Sequence, residues 1–237
     1  MYNPKEFDDY RPNVGVTVIP VIYKDGELKV LAYARSSDAE EFSDTLAFPN
    51  GFFNRQKHNT AEEAAIDALK MKADAKLAHF EQLETFSGNY IDPNRITTVN
   101  ITYFALLKPN EVSFDEAGAG QWLSIESLLS LSEIEFAFNH KEVLECAYER
   151  IKAKADYSPV ALNLLPDEFT INDFLLLTQT LMGRTINEKT FRTKLQKSEL
   201  LISTGRKHAA SKQQRPSMLY RINPDFEGCF YPRALFN

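Results

Sequence analysis

Apolar and polar positions divide the chain into short segments of two periods. Val14–Tyr23 (VGVTVIPVIY) is β-branched and almost wholly apolar, which predicts a buried strand. Asp25-Gly26 is a turn signal, and Leu28–Arg35 (LKVLAYAR) predicts the second arm of a hairpin. Phe80–Tyr90 holds a further strand, followed by a polar turn through Arg95. Thr97–Leu107 (TTVNITYFALL) is the strongest strand of the chain, and Gln121-Trp122-Leu123 is a short one ahead of a helical turn. Helical spacing appears at Ala61, Ala64, Ala65, Ala68 and Leu69, and again at Val143, Leu144, Ala147, Tyr148 and Ile151. Further on, Ile171, Phe174, Leu175, Leu177, Leu181 and Met182 predict a helix capped by Thr170 and ended by Gly183. Asn187 then caps a second helix with Phe191 and Leu195 inward. Leu200–Ser203 and Pro216–Ile222 read as strands on either side of a basic loop, Thr204–Gln214.

At 237 residues the chain has room for one or two domains of roughly 100–200 residues each. Ser158-Pro159, after the KAKAD end of a helix, marks a domain boundary, giving 1–157 and 158–237. No apolar run approaches the roughly 20 residues of a membrane helix, and the polar N-terminus MYNPKEFDDYRP lacks a signal pattern. Cys146 and Cys229 have no metal spacing, which points to a reducing cytoplasm. The net charge of −6 is uneven: from Ser158 onward there are eleven Lys/Arg against seven Asp/Glu, and between Arg184 and Arg221 ten against two. An acidic body with a basic tail suggests a polyanionic partner at one end.

Leu46–Asp74 is the stretch around which the chain is organised. It reads as strand end, turn at Pro49 and Gly51, loop, then a helix opened by a Thr60/Glu63 capping box. This layout resembles the Nudix box, G-x5-E-x7-R-E-U-x-E-E-x-G-U, with Gly51 at its glycine and Leu69 at its bulky aliphatic position U. The resemblance implies a Nudix-like α/β/α sandwich. Where the box carries R-E-U-x-E-E this chain has Asp67-Ala68-Leu69-Lys70-Met71-Lys72, so the glutamates are lost to Ala68, Met71 and Lys72. The loop glutamate falls among Lys57, His58 and Asn59. Divalent cations need oxygen ligands, so the expectation is a Nudix fold without catalysis, metal or cofactor. A competing expectation is a hydrolase using Glu62, Glu63, Asp67 or Asp74 instead.

The C-terminal order of helix, turn, basic helix and hairpin with a charged tip is that of a winged helix-turn-helix, whose second helix reads the major groove and whose wing meets phosphates. LLPDEFTINDF, LMGRTINEKTFRTKL and QRPSMLY resemble segments of the NrtR family of Nudix-related transcriptional regulators. Thr193, Gln214 and Asn139 depart from that family's pattern. The resemblance implies an α+β protein with an N-terminal Nudix-like domain and a C-terminal winged helix. It further implies a homodimeric repressor of NAD-metabolism genes that binds double-stranded operator DNA and is released by ADP-ribose or a related nucleotide; some relatives of this architecture sense sugars. On this reading the ligand residues are Arg35, Asn50, Gly51, Phe52, Arg95, Asn139 and His140. The DNA residues are Lys189, Thr190, Arg192, Lys194 and Lys197 on the helix, with Arg206, Lys207, Lys212 and Arg215 on the wing.

Overall fold

The computed structural model describes residues 11–92, 97–113, 120–208 and 216–226. Strand β1 (Asn13–Lys24) and strand β2 (Glu27–Ala34) form the expected hairpin, in register Val21↔Val30 and Lys24↔Glu27. Both turn residues, Asp25 and Gly26, take positive φ, 57° and 82°, as a two-residue hairpin turn requires. Strand β3 (Leu46–Ala47) pairs with β2, and strand β4 (Asn50–Phe52) pairs with the start of β1. Gly51 therefore lies within a strand opposite Val16 rather than in a turn. A Cβ at Gly51 would stand 3.8 Å from Ala68 of the following helix, an ordinary van der Waals contact.

Helix α1 (Ala61–Lys70) starts at Thr60, whose hydroxyl accepts the Glu63 amide. The Glu63 carboxylate accepts from the Asn59 amide at 2.6 Å, so the return half of the box reaches one residue further back than expected. Strands β5 (Asp74–Gly88) and β6 (Thr98–Ser113) follow; β6 pairs antiparallel with β5 and parallel with β1. Strand β7 (Gly120–Ser124) adds to β2 and runs into the short helix α2 (Ile125–Leu129). Helix α3 (His140–Tyr157) ends at Ser158.

The central strand β1 sends alternate side chains to opposite faces. Val16, Val18 and Ile22 join Ala64, Ala65, Ala68 and Leu69 of α1, while Ile19 and Val21 join Val143, Leu144, Ala147 and Ile151 of α3. β6 does the same, with Tyr103, Ala105 and Leu107 toward α1 and Phe104 and Leu106 toward α3. Helices on both faces of one mixed sheet make an α/β/α sandwich. One edge of β1 changes partner, from β4 at Gly15–Thr17 to β2 at Val21–Lys24. Pro20, with no amide to donate, falls in the gap between them.

A 3₁₀ segment, Pro159–Leu164, buries Ala161, Leu162 and Leu164. Helix α4 (Ile171–Met182) opens with a complete Thr170/Asp173 capping box and ends on Gly183 at φ 61°. Helix α5 (Glu188–Lys197) is capped by Asn187 and buries Phe191 and Leu195; Phe191 meets Phe174 edge to face at 5.2 Å. Strands β8 (Leu201–His208) and β9 (Ser217–Ile222) form the hairpin. Thr204–His208, expected as loop, extends β8: the register shifts between Ser203 and Lys207, where Gly205 takes φ 73° and the Thr204 hydroxyl donates to the Leu219 carbonyl. This bulge absorbs the irregular sequence without ending the pairing. The α4 and α5 side chains belong to the same apolar cluster as α3 and the sheet.

The Thr170 cap satisfies amides that would otherwise be orphaned at the start of α4. Thr170→Ala should lower folding stability by about 1 kcal/mol, measured by denaturant unfolding; an unchanged midpoint would assign α4 stability wholly to its packing.

Candidate functional site

On the α3 face of the sheet, the apolar lining stops at the N-terminal ends of β1 and β6. There Thr17 and Asn100 replace aliphatic side chains, both buried, and bond to each other at 3.1 to 3.2 Å. They floor a cavity of about 120 Å³ closed by β4, by the Ile91-Asp92 turn and by the segment leading into α3. Five of the expected ligand residues, Arg35, Asn50, Gly51, Phe52 and His140, line it. Arg95 lies outside the described residues. Asn139 is beside the cavity but does not line it. It holds the N-cap position of α3, yet its side chain accepts no helix amide; its amide donates to Glu142 at 3.3 Å. The reason is backbone: Asn139 sits at φ −95° and ψ 28°, away from the extended conformation of a cap.

The sequence reading missed Thr17, Asn100, Asp92, Thr98 and Phe138. A signal existed for two of them. Thr17 and Asn100 are the polar interruptions of otherwise apolar strands, and a buried polar group must find a partner. Phe138 had none beyond its place before Asn139-His140; it takes φ 54°, uncommon for a residue of its bulk. In that conformation its ring meets Phe42 at 4.8 Å and His140 at 5.4 Å, and the Arg35 guanidinium stands 5.0 Å over it. Arg35 Nε donates to the Glu41 carbonyl.

His140 is the most constrained group here. It is 1 % exposed, and burial, assisted by the Arg35 charge, pushes its pKa down to about 3. The Phe48 amide donates to its Nδ1 at 3.1 Å, so the neutral ring carries its proton on Nε2. Nε2 faces the Asn50 carboxamide at 3.4 Å, and the far end of that carboxamide meets the Tyr33 hydroxyl at 3.2 Å. The two ends of a carboxamide are isosteric, so bonding decides its orientation. Only with its oxygen toward Nε2–H does Asn50 bond at both ends, its NH2 then donating to Tyr33. Burial also raises the Tyr33 pKa, against a smaller opposing effect of Arg35, and keeps the hydroxyl protonated.

The residues at the box do not fit a divalent cation. Ala68 is buried without an oxygen, Met71 is 68 % exposed, and the Lys72 ammonium lies 4.0 Å over the Tyr33 ring. Two of the four substitute carboxylates are otherwise engaged. Glu63 is held below its usual pKa first of all by the Asn59 amide, and Asp67 faces His58 at 3.3 Å. Among the described residues no three His, Cys, Asp or Glu side chains gather at metal-binding spacing.

The second candidate surface is on α5 and the hairpin. Lys189, Thr190 and Lys197 are exposed, whereas Arg192 and Lys194 are half-buried at the flanks. Arg192 Nε donates to Glu188 at 2.7 Å, and Arg206 pairs with Glu168. Lys207 is exposed; Lys212 and Arg215 lie outside the described residues.

Residues 161–222 match the family model of the NrtR DNA-binding winged helix domain. The structure superposes on Shewanella oneidensis NrtR with a TM-score of 0.79 at 28% identity, covering 92% of this chain and 97% of that one. The C-terminal domain is thus of the NrtR winged helix type, and the whole chain is similar in fold to NrtR. The Shewanella NrtR has also been solved with a 27mer DNA, at TM-score 0.77 and 28% identity over 90% of this chain and 94% of that one. Its Nudix domain has been solved with ADP ribose, at TM-score 0.54 and 26% identity over 63% of this chain and 94% of that one. A second relative is the ADPR responsive transcriptional repressor NtrR of Acinetobacter baylyi, 26% identical over 231 residues, 96% of this chain and 89% of that protein. The chain thus pairs a Nudix-like sandwich with a winged helix. No described helix is long and apolar enough to cross a membrane.

The ordinary His140 pKa of 6.5 lies above its folded value of about 3. Between these values the unfolded chain binds more protons, so stability should fall on acidification by up to about 1.4 kcal/mol per pH unit. Denaturant unfolding at pH 7 and pH 5 should show the loss, and His140→Gln should flatten the profile.

Proposed function

We propose that the chain is a transcriptional repressor that binds operator DNA through α5 and the β8–β9 hairpin and is released by ADP-ribose or a related nucleotide held in the Nudix-like cavity. The observation that carries this reading is the union, in one chain, of a cavity beside a box without its glutamates and a winged helix with an exposed basic face. The cavity offers what a nucleoside diphosphate needs: Arg35 for its anionic centre, Phe52 and Phe138 for apolar or stacking contact, and Asn50, Asn100 and Asp92 for its hydroxyls. Arg95 completes the proposed ligand set. On DNA, Lys189, Thr190, Arg192, Lys194 and Lys197 serve the groove and adjoining phosphates, and Arg206, Lys207, Lys212 and Arg215 serve the wing. Arg192 and Arg206 must exchange Glu188 and Glu168 for DNA. The proposed division is 1–157 for ligand and 158–237 for DNA. A homodimer in the cytoplasm, acting on NAD-metabolism genes, suits a two-fold operator with half-sites about one helical turn apart.

We further propose that the Nudix-like domain is not catalytic. Ala68 and Met71 supply no oxygen ligand, and Lys72 supplies a charge of the wrong sign for holding a cation. With Mg²⁺ or Mn²⁺, no turnover of ADP-ribose is expected; hydrolysis at about 1 per second or faster would establish an enzyme instead.

The regulatory reading is tested on DNA from upstream of the chain's own gene. Arg192→Ala should weaken binding by about 1–3 kcal/mol if it reads a base, whereas Lys207→Ala should weaken all sequences alike and reduce the salt slope. ADP-ribose should lower operator affinity about 5- to 150-fold, with operator lowering ADP-ribose affinity equally. Equal affinity for operator and random DNA at one salt concentration would reject the repressor. Binding of ADP-ribose without release of DNA would reject it as inducer.

A further inference from the structure

Lys72, at the end of the degenerate box, is not an isolated surface cation. Its Nζ lies 4.0 Å over the ring of Tyr33. The Tyr33 hydroxyl meets Asn50 at 3.2 Å, Asn50 meets His140 at 3.4 Å, and His140 accepts the Phe48 amide at 3.1 Å. Four contacts thus run from Lys72, just past the C-terminus of α1, along the wall of the cavity to the first residue of α3 and on to Phe48. A tyrosine ring has only two rotatable bonds, so contact at its face and at its tip defines its position. An ammonium over a partly desolvated ring face is attracted by the ring quadrupole.

We propose that Lys72 is a positioning residue for the ligand cavity, acting through Tyr33 to orient the carboxamide of Asn50. Asn50 bonds to His140 through its oxygen and to Tyr33 through one N–H. Its second N–H is then available to the cavity that Asn50 lines, where it reads a hydrogen-bond acceptor such as a phosphate or ribose oxygen. The lysine that occupies a glutamate position of the box thereby stabilises the donor geometry of a binding site. This inference rests on the ligand reading above only for the identity of the probe.

Two measurements on the full-length protein test it. In ¹H–¹⁵N spectra, with the Asn50 side-chain amide assigned by Asn50→Asp, Lys72→Met should move that amide pair in the same direction as Tyr33→Phe. Lys72→Arg should leave it in place. In calorimetric titration with ADP-ribose, Lys72→Met and Tyr33→Phe should each weaken binding about 3- to 10-fold. The double variant should bind no worse than the weaker single one, because both act on one path. An Asn50 amide unmoved by Lys72→Met would overturn the proposal, as would a moved amide with unchanged affinity or losses that multiply in the double variant. If the wild-type protein does not bind ADP-ribose, that reading fails alone, and the Asn50 resonance still decides the relay.

Discussion

Strand β1 is bonded along both edges and covered on both faces, and most of the architecture depends on it. Its parallel ladder with β6 runs from Asn13 to Val21. Its other edge is shared by β4 and β2 in turn. Because side chains alternate, this one strand decides which residues face α1 and which face α3. A slip of one residue would carry Thr17 into the alanine face of α1 and the aliphatic side chains into the cavity. The position of the polar cavity follows from the same alternation: it begins where the α3-facing row changes from Val21 and Ile19 to Thr17.

Helix α3 extends the consequence. Its first residue, His140, is bonded into the cavity wall, and farther along Ile151 and Ala155 lie in the apolar cluster shared with α4 and α5. The β1–β2 hairpin makes a second connection, for the Thr180 hydroxyl of α4 stands 3.3 Å from the Gly26 carbonyl and 3.5 Å from the Tyr23 hydroxyl. Lys108 of β6 pairs with Asp167 just ahead of α4. Packed interiors transmit displacement because they lack free volume. A ligand able to displace Phe138 or His140 therefore acts on an element already in contact with the winged helix. It can shift the DNA-binding geometry only by the difference in its affinity for the two arrangements.

The charged surfaces follow a different logic. Glu81 on β5 accepts from Lys154 at 2.7 Å and faces His79 at 3.0 Å, and its carboxyl is held below the usual range by these partners against the opposing effect of burial. That cluster fastens α3 to the sheet. On α5 the cations are more exposed, and the Arg192–Glu188 and Arg206–Glu168 pairs at the surface are worth little in water. Basic groups held this weakly can be re-paired with phosphates at small cost.

Local chemistry was enough to place most of the secondary elements. Periodicity located the strands and helices, turn residues located the hairpin at Asp25-Gly26, and caps located α1, α4 and α5, because each depends on residues within a few positions of one another. The loss of metal-ligating side chains at Ala68, Met71 and Lys72 was legible for the same reason, being a matter of residue identity. Of the cavity, Arg35, Asn50, Gly51, Phe52 and His140 were identified, but only through resemblance to a family pattern. What the tertiary structure decided were relations across the chain: the Thr17–Asn100 pair spans 83 positions and the His140 bond to Phe48 spans 92. The strand role of Gly51, the left-handed Phe138 and the failure of Asn139 as a cap also depend on packing that local propensity does not encode. A buried hydrogen bond is specified by both partners at once, and a sequence read in order presents them far apart.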